Sequence, residues 1–265
     1  MPIIKVKPNQ KINLAEIDPA DTGKVEKDKA NEILTQNIQR MAELQNVLYA
    51  EGKHALLIIL QAMDAGGKDG TIRKTMSGIN PQGIRVTSFK KPTEEELSHD
   101  FLWRVHKVVP PRGMIGIFNR SHYEDVLIVR VRKLVPKNVW QTRYDHINHF
   151  EQLLTNNGVT ILKFYLHISK EEQKERLLAR LNEPDKCWKF NPTDLDSRAH
   201  WDDYMQAFAD IFEKCSTEAA PWYIVPANKK WYRNVVISET IVQTLESLKM
   251  KYPEPAEDLD KVVIE

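Results

Sequence analysis

The stretch Ala55–Thr71, ALLIILQAMDAGGKDGT, joins a continuous apolar run to a loop that is rich in glycine and carries a lysine. An apolar run without polar alternation, such as residues 55–60, is typical of a strand that is buried on both faces of a sheet. The loop leads into a helical segment at about residues 68–78. A strand, a loop and a helix start in this order bring backbone N–H groups and the positive end of a helix together, which favours anion binding. We therefore predict a phosphate-binding loop after the first buried strand.

The residue types within the loop support this prediction. Gly66 and Gly67 let the backbone approach phosphate oxygens without a side chain in the way. Lys68 supplies a mobile cation for a phosphoryl group in transfer. The alternative is a turn rich in Asp and Gly before a helix, with Lys68 in solvent. The predicted phosphate-binding residues are Ala65, Gly66, Gly67, Lys68, Asp69, Gly70 and Thr71.

Two residues depart from the common phosphate-loop pattern G-x-x-x-x-G-K-[ST]. Ala62 stands at the first glycine, which is a mild change, and Asp69 stands at the Ser/Thr position. Asp69 thus places a carboxylate where a hydroxyl normally contacts Mg²⁺, and Asp64 adds a second carboxylate to the loop. Because Mg²⁺ prefers oxygen ligands, such a loop suits one or more Mg²⁺ ions that bridge a highly charged phosphate substrate.

The composition of the 265-residue chain is that of an ordinary globular protein, with 42% hydrophobic and 28% charged residues. No apolar run approaches the roughly 20 residues of a membrane span, and the N-terminal residues lack the pattern of a secretory signal. The two cysteines, Cys187 and Cys215, are too few for a disulfide scaffold. We expect a reduced, cytoplasmic protein that binds no membrane.

The distribution of charge is more informative than its total. The net charge of +1 gives no indication of nucleic-acid binding, and we expect no nucleic-acid partner. Arginines nevertheless recur through the middle of the chain, and a neutral total can conceal a positive groove. Solvated helix faces are the alternative explanation for these arginines.

Apolar patterns divide the chain into structural segments. Residues 1–26 are polar and contain Pro8, Pro19 and Gly23, which predicts an irregular N-terminal strap. Residues 27–50 carry apolar side chains at three- and four-residue spacing, which predicts a long amphipathic helix. Buried strands are predicted at Ala55–Leu60, Ile84–Phe89, Met114–Phe118, Val159–Leu166 and Trp222–Val225, and further helices at about 68–78, 94–107, 137–156, 170–182, 194–215 and 232–250.

The alternation of strands and helices predicts the fold class. It indicates a parallel sheet covered on both faces by helices, in a three-layer α/β domain. We place this single domain at residues 27–252, with five strands and a helical lid at about residues 170–200. Residues 253–265 are predicted to form a C-terminal tail.

Polar residues follow the third predicted strand, in Gly113–Val126, GMIGIFNRSHYEDV. We expect them at the carboxyl edge of the sheet, where α/β proteins bind ligands. In many phosphate-loop enzymes an acidic residue ends this strand and orients the metal, but here the position is Asn119, followed by Arg120. Glu124, one helical turn further on, could supply the missing carboxylate. The alternative makes Ser121 an N-cap with Glu124 closing a capping box, and both interpretations can hold together.

Two arginines share one face of the predicted helix at residues 170–182. Arg176 and Arg180 are four residues apart, and a helix that carries such a pair can close over donor phosphates as a lid. The alternative is an exposed helix with ion pairs such as Glu172–Arg176. By itself, this helix is weak evidence for a lid.

Phe89 and Lys90 follow the second predicted strand, where they could bind an acceptor nucleotide through its base and its phosphate. Core packing explains Phe89 equally well.

Two other motifs do not support a function. Asn228–Trp231 resembles the guanine-reading N-K-x-D pattern, but a tryptophan replaces its carboxylate, and the His146/His149 pair lacks a pattern of further zinc ligands.

Four segments together resemble the family-2 polyphosphate kinases: AMDAGGKDGT, FNRSHYEDVL, WKFNPTDLDSRAHWDDY and STEAAPWYIVPANKKWYRN. The resemblance extends from about Leu34 to Tyr252, with the segments in the same order and spacing. It implies a thymidylate-kinase-like P-loop kinase fold and Mg²⁺-dependent phosphoryl transfer between inorganic polyphosphate and nucleotides, with Mn²⁺ as a possible substitute for Mg²⁺. Asn119 is similar to the subgroup that phosphorylates both AMP and ADP, whereas other subgroups carry Asp at this position.

The resemblance also implies roles for individual residues. It gives catalytic roles to Asp64, Lys68, Arg120, Arg176 and Arg180. Nucleotide binding is expected of Phe89, Lys90, Asn119 and Arg120, and metal binding of Asp64, Asp69 and Glu124. The family further implies a homo-oligomer, for which the long first helix and the Lys261–Glu265 tail are candidate contacts.

Two other functions stay open on the sequence. An ATP-dependent nucleoside monophosphate kinase would have the same fold, but it normally keeps Ser or Thr where Asp69 stands. A nucleotide- or polyanion-binding module without activity would not need a carboxylate-bearing loop beside a pair of lid arginines. The sequence does not decide the preferred base, the polyphosphate length, the direction of the reaction, or which carboxylate compensates for Asn119.

Overall fold

The strands form a single sheet in the computed structural model, which describes residues 3–255. They are β1 Ile4–Lys5, β2 Ala55–Gln61, β3 Ile84–Ser88, β4 Ile115–Asn119, β5 Val159–His167 and β6 Trp222–Pro226. Their order across the sheet is β1-β6-β5-β2-β4-β3. Strands β2 to β6 run parallel, and β1 pairs antiparallel with β6 at one edge. The predicted parallel α/β sheet is therefore confirmed.

Strand β2 lies at the centre of the sheet, between β4 and β5. Every residue from Ala55 to Gln61 is buried, as the continuous apolar run predicts. Leu60 pairs with Asn119 of β4, and Gln61 pairs with Tyr165 of β5. The carboxyl ends of these three strands therefore meet at one edge of the sheet, and the segments that follow them lie side by side.

Helices cover both faces of the sheet. The long helix α10 packs against α1 and against α2, while α6 packs on β5 and on α9. The bounds are α1 Lys27–Glu51, α2 Lys68–Thr75, α3 Glu94–Leu97, α4 Trp103–His106, α5 Ile128–Val131, α6 Lys137–Asn156, α7 Lys170–Asn182, α8 Thr193–Ala199, α9 Trp201–Cys215 and α10 Lys230–Ser247. Within residues 3–255, no helix has the length and the apolar character needed to cross a membrane.

Three details of the predicted elements are wrong. Ile84–Phe89 is predicted as a buried strand, but β3 lies at an edge of the sheet and none of its residues is buried. The sheet has six strands rather than five in the described range, because Ile4–Lys5 of the predicted strap pairs with β6. A strand of two residues is too short to show a periodic pattern in the sequence. The helices predicted at 94–107 and 194–215 are each two helices, α3 with α4 and α8 with α9. Most of the predicted C-terminal tail, including Lys261–Glu265, lies outside the described residues.

Candidate active site

The loop after β2 has a backbone that requires its two glycines. Gly67 has a φ of +101°, in the left-handed region where a side chain is strained. A Cβ atom on Gly66 would lie 2.5 Å from Cβ of Ala62 and 2.8 Å from the carbonyl oxygen of Met63. The methyl group of Ala62 therefore lies against the bare Cα of Gly66, which accounts for glycine at position 66.

The carbonyl oxygens of the loop are held by side chains around it. Lys68 Nζ donates to the carbonyls of Ala62 and Met63 at 3.1 and 3.4 Å. Further donors come from α7: Gln173 Nε2 donates to the Asp64 carbonyl, and Arg176 Nη1 donates to the carbonyls of Ala65 and Gly66. This arrangement fixes the loop from its carbonyl side.

The N–H groups at the start of α2 are left for another acceptor. The first N–H groups of a helix have no acceptor within the helix, and among residues 3–255 no side-chain hydrogen bond caps the start of α2. These groups and the positive end of the helix dipole form a site for an anion. The loop thus has the geometry that the sequence predicts for phosphate binding.

Lys68 is buried at the centre of the charged cluster. Only 9% of the residue is exposed. Burial, followed by the positive charge of Arg120, lowers the pKa of Lys68 to about 8, although Asp64, Glu124 and Asp69 act in the opposite direction. The lysine therefore interacts electrostatically with the charged residues of the loop and of the turn after β4.

The turn after β4 brings its polar residues to the loop. Arg120, with a positive φ of 63°, donates from Nη2 to Asp64 Oδ1 at 2.6 Å. Asn119 Nδ2 lies 2.5 Å from Asp69 Oδ1. Glu124 lies 3.9 Å from Arg120. The structure therefore joins the two segments that the sequence assigned to one site.

The short helical turn His122–Asp125 confirms one half of the capping prediction, the N-cap at Ser121. Ser121 caps this turn, since its hydroxyl accepts from the Tyr123 N–H at 3.2 Å. The carboxylate of Glu124 is directed to Arg120 instead of closing a capping box. Capping by Ser121 and a position of Glu124 beside the loop thus hold together.

The predicted metal ligands do not form a complete metal site by themselves. Among residues 3–255, no group of three or more His, Cys, Asp or Glu side chains is placed to hold a metal ion. Asp64 is paired with Arg120, and Asp69 accepts from Asn119. Oxygen donors are present, but a cation here would need further oxygens from a substrate.

A buried polar cluster that sequence reasoning missed supports the turn after β4. Lys163 of β5 is fully buried, and its Nζ lies 2.5 Å from Glu151 Oε2 and 2.8 Å from the Tyr123 hydroxyl. Glu151 Oε1 also accepts from Tyr123 at 2.9 Å and lies 3.2 Å from His122 Nε2. The signal in the sequence is a single lysine within a mostly apolar strand.

The lid arginines are bound to protein groups in this structure. Arg176 pairs with Glu172 at 2.7 Å, as the structural alternative predicts, and its Nη2 donates to the carbonyls of Ala227 and Asn228. The helix α7 therefore links the phosphate loop to the loop between β6 and α10. For Arg176 to contact a phosphate, it would have to exchange these acceptors.

Arg180 binds a carboxylate that sequence reasoning also missed. Its Nη1 lies 2.6 Å from Asp194 Oδ2, on α8. Burial, and then the charge of Asp64, raises the pKa of Asp194. Asp194 therefore stands near the loop and connects it with the lid helices. The segment containing Asp194 is one of the four that carry the family resemblance, but no role was predicted for this residue.

The remaining candidates have mainly structural contacts. Phe89 is buried and packs edge-on against Phe118, with ring centroids 4.9 Å apart, which supports the core-packing alternative. Lys90 is exposed near the end of β3. Asn228 Oδ1 accepts from the Ser169 N–H at 3.0 Å, so this residue of the rejected guanine motif caps a backbone group.

Comparisons with known proteins agree on one family. The model of the family described as polyphosphate kinase 2 matches residues 24–253. The chain is 54% identical over 263 residues to an AMP/ADP-polyphosphate phosphotransferase of Meiothermus ruber, covering 98% of each chain. It is 50% identical over 240 residues to an ADP-polyphosphate phosphotransferase of Rhodopseudomonas palustris, covering 86% of this chain and 83% of the relative.

A solved structure agrees with these sequence matches. The crystal structure of polyphosphate kinase 2 from Arthrobacter aurescens TC1 superimposes with a TM-score of 0.91 at 47% identity. The superposition covers 94% of this chain and 90% of the other.

Proposed function

The chain belongs to the polyphosphate kinase 2 family, and we propose that it transfers phosphoryl groups between inorganic polyphosphate and adenine nucleotides. In this reaction AMP becomes ADP and ADP becomes ATP. The names of the relatives support this proposal, since one names both AMP and ADP and another names ADP with polyphosphate. In this chain, the proposal rests on one observation: Lys68, Arg120 and the carboxylates of the loop lie together at the start of α2.

The transfer needs positioning and charge neutralisation more than covalent help from the protein. A phosphate oxygen of the nucleotide attacks the terminal phosphorus of the polyphosphate. The bond from that phosphorus to the bridging oxygen breaks, and the chain leaves one phosphate shorter. In our proposal the N–H groups at the start of α2 hold the donor, while Lys68 and Arg120 neutralise the charge on the moving group.

Two carboxylates of the loop are our candidates for holding Mg²⁺. Mg²⁺ is usually bound through one or two carboxylates together with substrate phosphates and water. Asp64 and Asp69 fit this requirement. Glu124 lies beside Arg120 in the turn after β4 and is not grouped with both aspartates in this structure, so its side chain would have to move to complete the set. A bound Mg²⁺ would neutralise phosphate oxygens of donor and acceptor. Within the protein, Arg120 and Asn119 position these carboxylates through hydrogen bonds of 2.6 and 2.5 Å.

The nucleotide is proposed to bind on the β3–β4 side of the loop. Asn119 and Arg120 face the loop from this side, and exposed Lys90 lies near the end of the neighbouring strand. The amine of Lys90 could pair with the acceptor phosphate. Because Phe89 is buried, we do not assign base stacking to it.

One assay tests the proposed function against the two alternatives. The protein is incubated with AMP, polyphosphate and Mg²⁺ in the absence of ATP, and nucleotides are separated by chromatography. We expect ADP first and ATP after it. Product from AMP and ATP alone, with none from polyphosphate, would identify a nucleoside monophosphate kinase. Absence of any product with either donor would favour a binding module.

A further inference from the structure

One buried cation beside the phosphate loop has no anionic partner among the residues that the structure describes. Arg233 lies in the first turn of α10, and only 2% of it is exposed. Its Nε and Nη2 donate to Asn234 Oδ1 at 3.2 and 2.9 Å. Its Nη1 has no hydrogen-bond partner within residues 3–255. A buried charge is costly unless it is paired, so this nitrogen indicates an anion that residues 3–255 do not supply.

The unpartnered nitrogen faces the phosphate loop. A Cβ atom built on Gly67 would lie 2.1 Å from Nη1 of Arg233 and 3.4 Å from Nη1 of Arg176. A Cβ atom on Gly70 would lie 3.7 Å from Nη2 of Arg233. Two guanidinium groups therefore approach the same glycine, and the missing side chain of Gly67 leaves the space that they occupy.

Positive charge is in excess at this point. Burial, and then the charge of Arg176, lowers the pKa of Arg233 to about 9. Lys230, at the start of α10, has a lowered pKa because of partial burial and the nearby charges of Arg176, Lys186 and Arg233. Glu172 is paired with Arg176 at 2.7 Å. Like charges that crowd together in this way are relieved by a bound anion.

These cations lie on the side of the phosphate loop away from the turn after β4. Helix α10 follows β6, and α7 follows β5, whereas β4 lies on the other side of β2. A linear donor whose terminal phosphate is at Lys68 can therefore extend past Gly67 toward α7 and α10. A nucleotide donor would instead bring a ribose and a base, which carry no negative charge, to these cations.

We propose that Arg233, Arg176 and Lys230 bind the phosphates of the polyphosphate donor that lie beyond the transferring phosphate, and that they select a long inorganic chain over a short donor or a nucleotide. This distal subsite rests on the proposed polyphosphate reaction. Arginine binds phosphate through paired N–H bonds, which are stronger than bonds to neutral carbonyl groups.

Binding at this subsite requires Arg176 to change partners. Nη1 of Arg233 is shielded from solvent, and the guanidinium of Arg176 beside it is held by the carbonyls of Ala65, Gly66, Ala227 and Asn228. When phosphate oxygens replace these carbonyls as acceptors, Arg176 can turn to the chain and uncover Arg233.

The test compares long polyphosphate, tripolyphosphate and ATP as donors to a fixed acceptor, with kcat and KM measured for each. Arg233→Met removes the charge but keeps an apolar stem in the buried space. We expect its KM for long polyphosphate to rise about tenfold, the loss of one charge-assisted contact, with kcat and the acceptor KM within about twofold. The KM values for tripolyphosphate and ATP should change much less. Arg233→Lys should recover part of the loss.

Two further variants keep the test decisive. Lys230 is exposed, so Lys230→Met should fold normally and raise the KM for long polyphosphate by about threefold. Arg40→Met, on the exposed surface of α1, is the matched control and should leave all donors unchanged. If Arg233→Met does not fold by circular dichroism, Arg233→Lys and Lys230→Met decide the outcome. Equal losses for all three donors, or no loss for long polyphosphate in these variants, would overturn the distal subsite.

A binding measurement separates this inference from the proposed function. Calorimetry with long polyphosphate, without nucleotide, reports the subsite whether or not turnover occurs. Weaker binding to Arg233→Met than to Arg40→Met supports the subsite even if the wild-type protein makes no ATP. If both variants bind long polyphosphate equally, and the wild-type enzyme turns over polyphosphate, the subsite is rejected and the proposed function stands.

Discussion

The two sides of the phosphate loop carry opposite kinds of charge. On the β4 side, carboxylates of the loop meet an asparagine and an arginine that hold them by hydrogen bonds. On the side of β5 and β6, two guanidinium groups approach Gly67, and a carboxylate pairs with only one of them. The residues are Asp64, Asp69, Asn119, Arg120 and Glu124 on the first side, and Arg176, Lys230, Arg233 and Glu172 on the second.

This difference indicates two ways of binding phosphate around one loop. Carboxylates cannot contact phosphate oxygens favourably unless a cation stands between them, so the β4 side suits Mg²⁺ and the acceptor nucleotide. Arginine and lysine contact phosphate directly, so the other side suits the donor chain. Lys68 lies between the two sides and would serve the group that passes from one to the other.

The largest effect should follow from removing this shared cation. Lys68→Ala is expected to lower kcat by about 10³-fold or more, because the moving phosphoryl loses its nearest positive charge. The measurement is ATP formation from ADP and polyphosphate, with the thermal melt as a check on folding. Lys74→Ala, at an exposed position of the same helix, is the control. Rates near the wild-type value in Lys68→Ala would show that the loop is not the transfer site.

The next largest effect should follow from a change in the buried polar cluster around Lys163, which supports the turn after β4. Glu151→Gln leaves Lys163 buried without a carboxylate, and we expect the free energy of unfolding to fall by roughly 3–5 kcal/mol in denaturant titrations. The double variant Glu151→Leu with Lys163→Met should recover most of this loss, because no uncompensated charge remains. Stability of the double variant as low as that of Glu151→Gln would contradict the electrostatic explanation.

The same pair predicts a dependence on pH. Burial opposes the ionisation of Glu151, but Lys163 and His122 together lower its pKa below the ordinary value of 4.5. A lowered carboxyl pKa stabilises the folded protein above pH 4.5, and this stabilisation is lost as the pH falls through the lowered pKa. As the pH is lowered, the free energy of unfolding should therefore fall more steeply for the wild-type protein than for Glu151→Gln. Equal slopes would contradict the lowered pKa of Glu151.

A smaller effect should separate the metal-binding side from the chain-binding side. Asp69→Asn is expected to lower activity by about 100-fold at limiting Mg²⁺ and to raise the Mg²⁺ concentration needed for half-maximal rate, since one oxygen ligand loses its charge. High Mg²⁺ should recover part of the rate. Asp145→Asn, on the exposed face of α6, is the control. An unchanged Mg²⁺ requirement would remove Asp69 from the proposed metal site.

The smallest effect should appear on the other side of the loop. Arg176→Met is expected to raise the KM for polyphosphate about tenfold without changing the Mg²⁺ requirement. Its polyphosphate affinity should also depend less steeply on salt, because one charge contact with the polyphosphate is gone. Kinetics at several salt concentrations, with Arg40→Met beside it, give the comparison. A changed Mg²⁺ requirement in Arg176→Met would show that the two sides do not act separately.

Local signals in the sequence were sufficient for the loop and the central strands. The apolar run before Gln61 indicates a strand buried on both faces, and Gly66, Gly67 and Lys68 indicate the loop, because the pattern of neighbouring residues is enough to predict both. Strand β1 could not be found in this way, since its two residues form a strand only by pairing with β6. The breaks between α3 and α4 and between α8 and α9 also escaped the periodic pattern.

The sequence by itself determined the parallel α/β sheet and the phosphate loop, and it placed Asn119 and Arg120 at the carboxyl edge of the sheet. Their contact with the loop follows from the pairing of β2 with β4, which the structure shows. Only the tertiary structure decided which charges have partners. Arg176 and Arg180 are neighbours on one helix, yet one binds loop carbonyls and the other Asp194. The isolation of Arg233 behind Gly67 follows from the packing of α10 against α2, between residues far apart in the chain, and no local pattern encodes it.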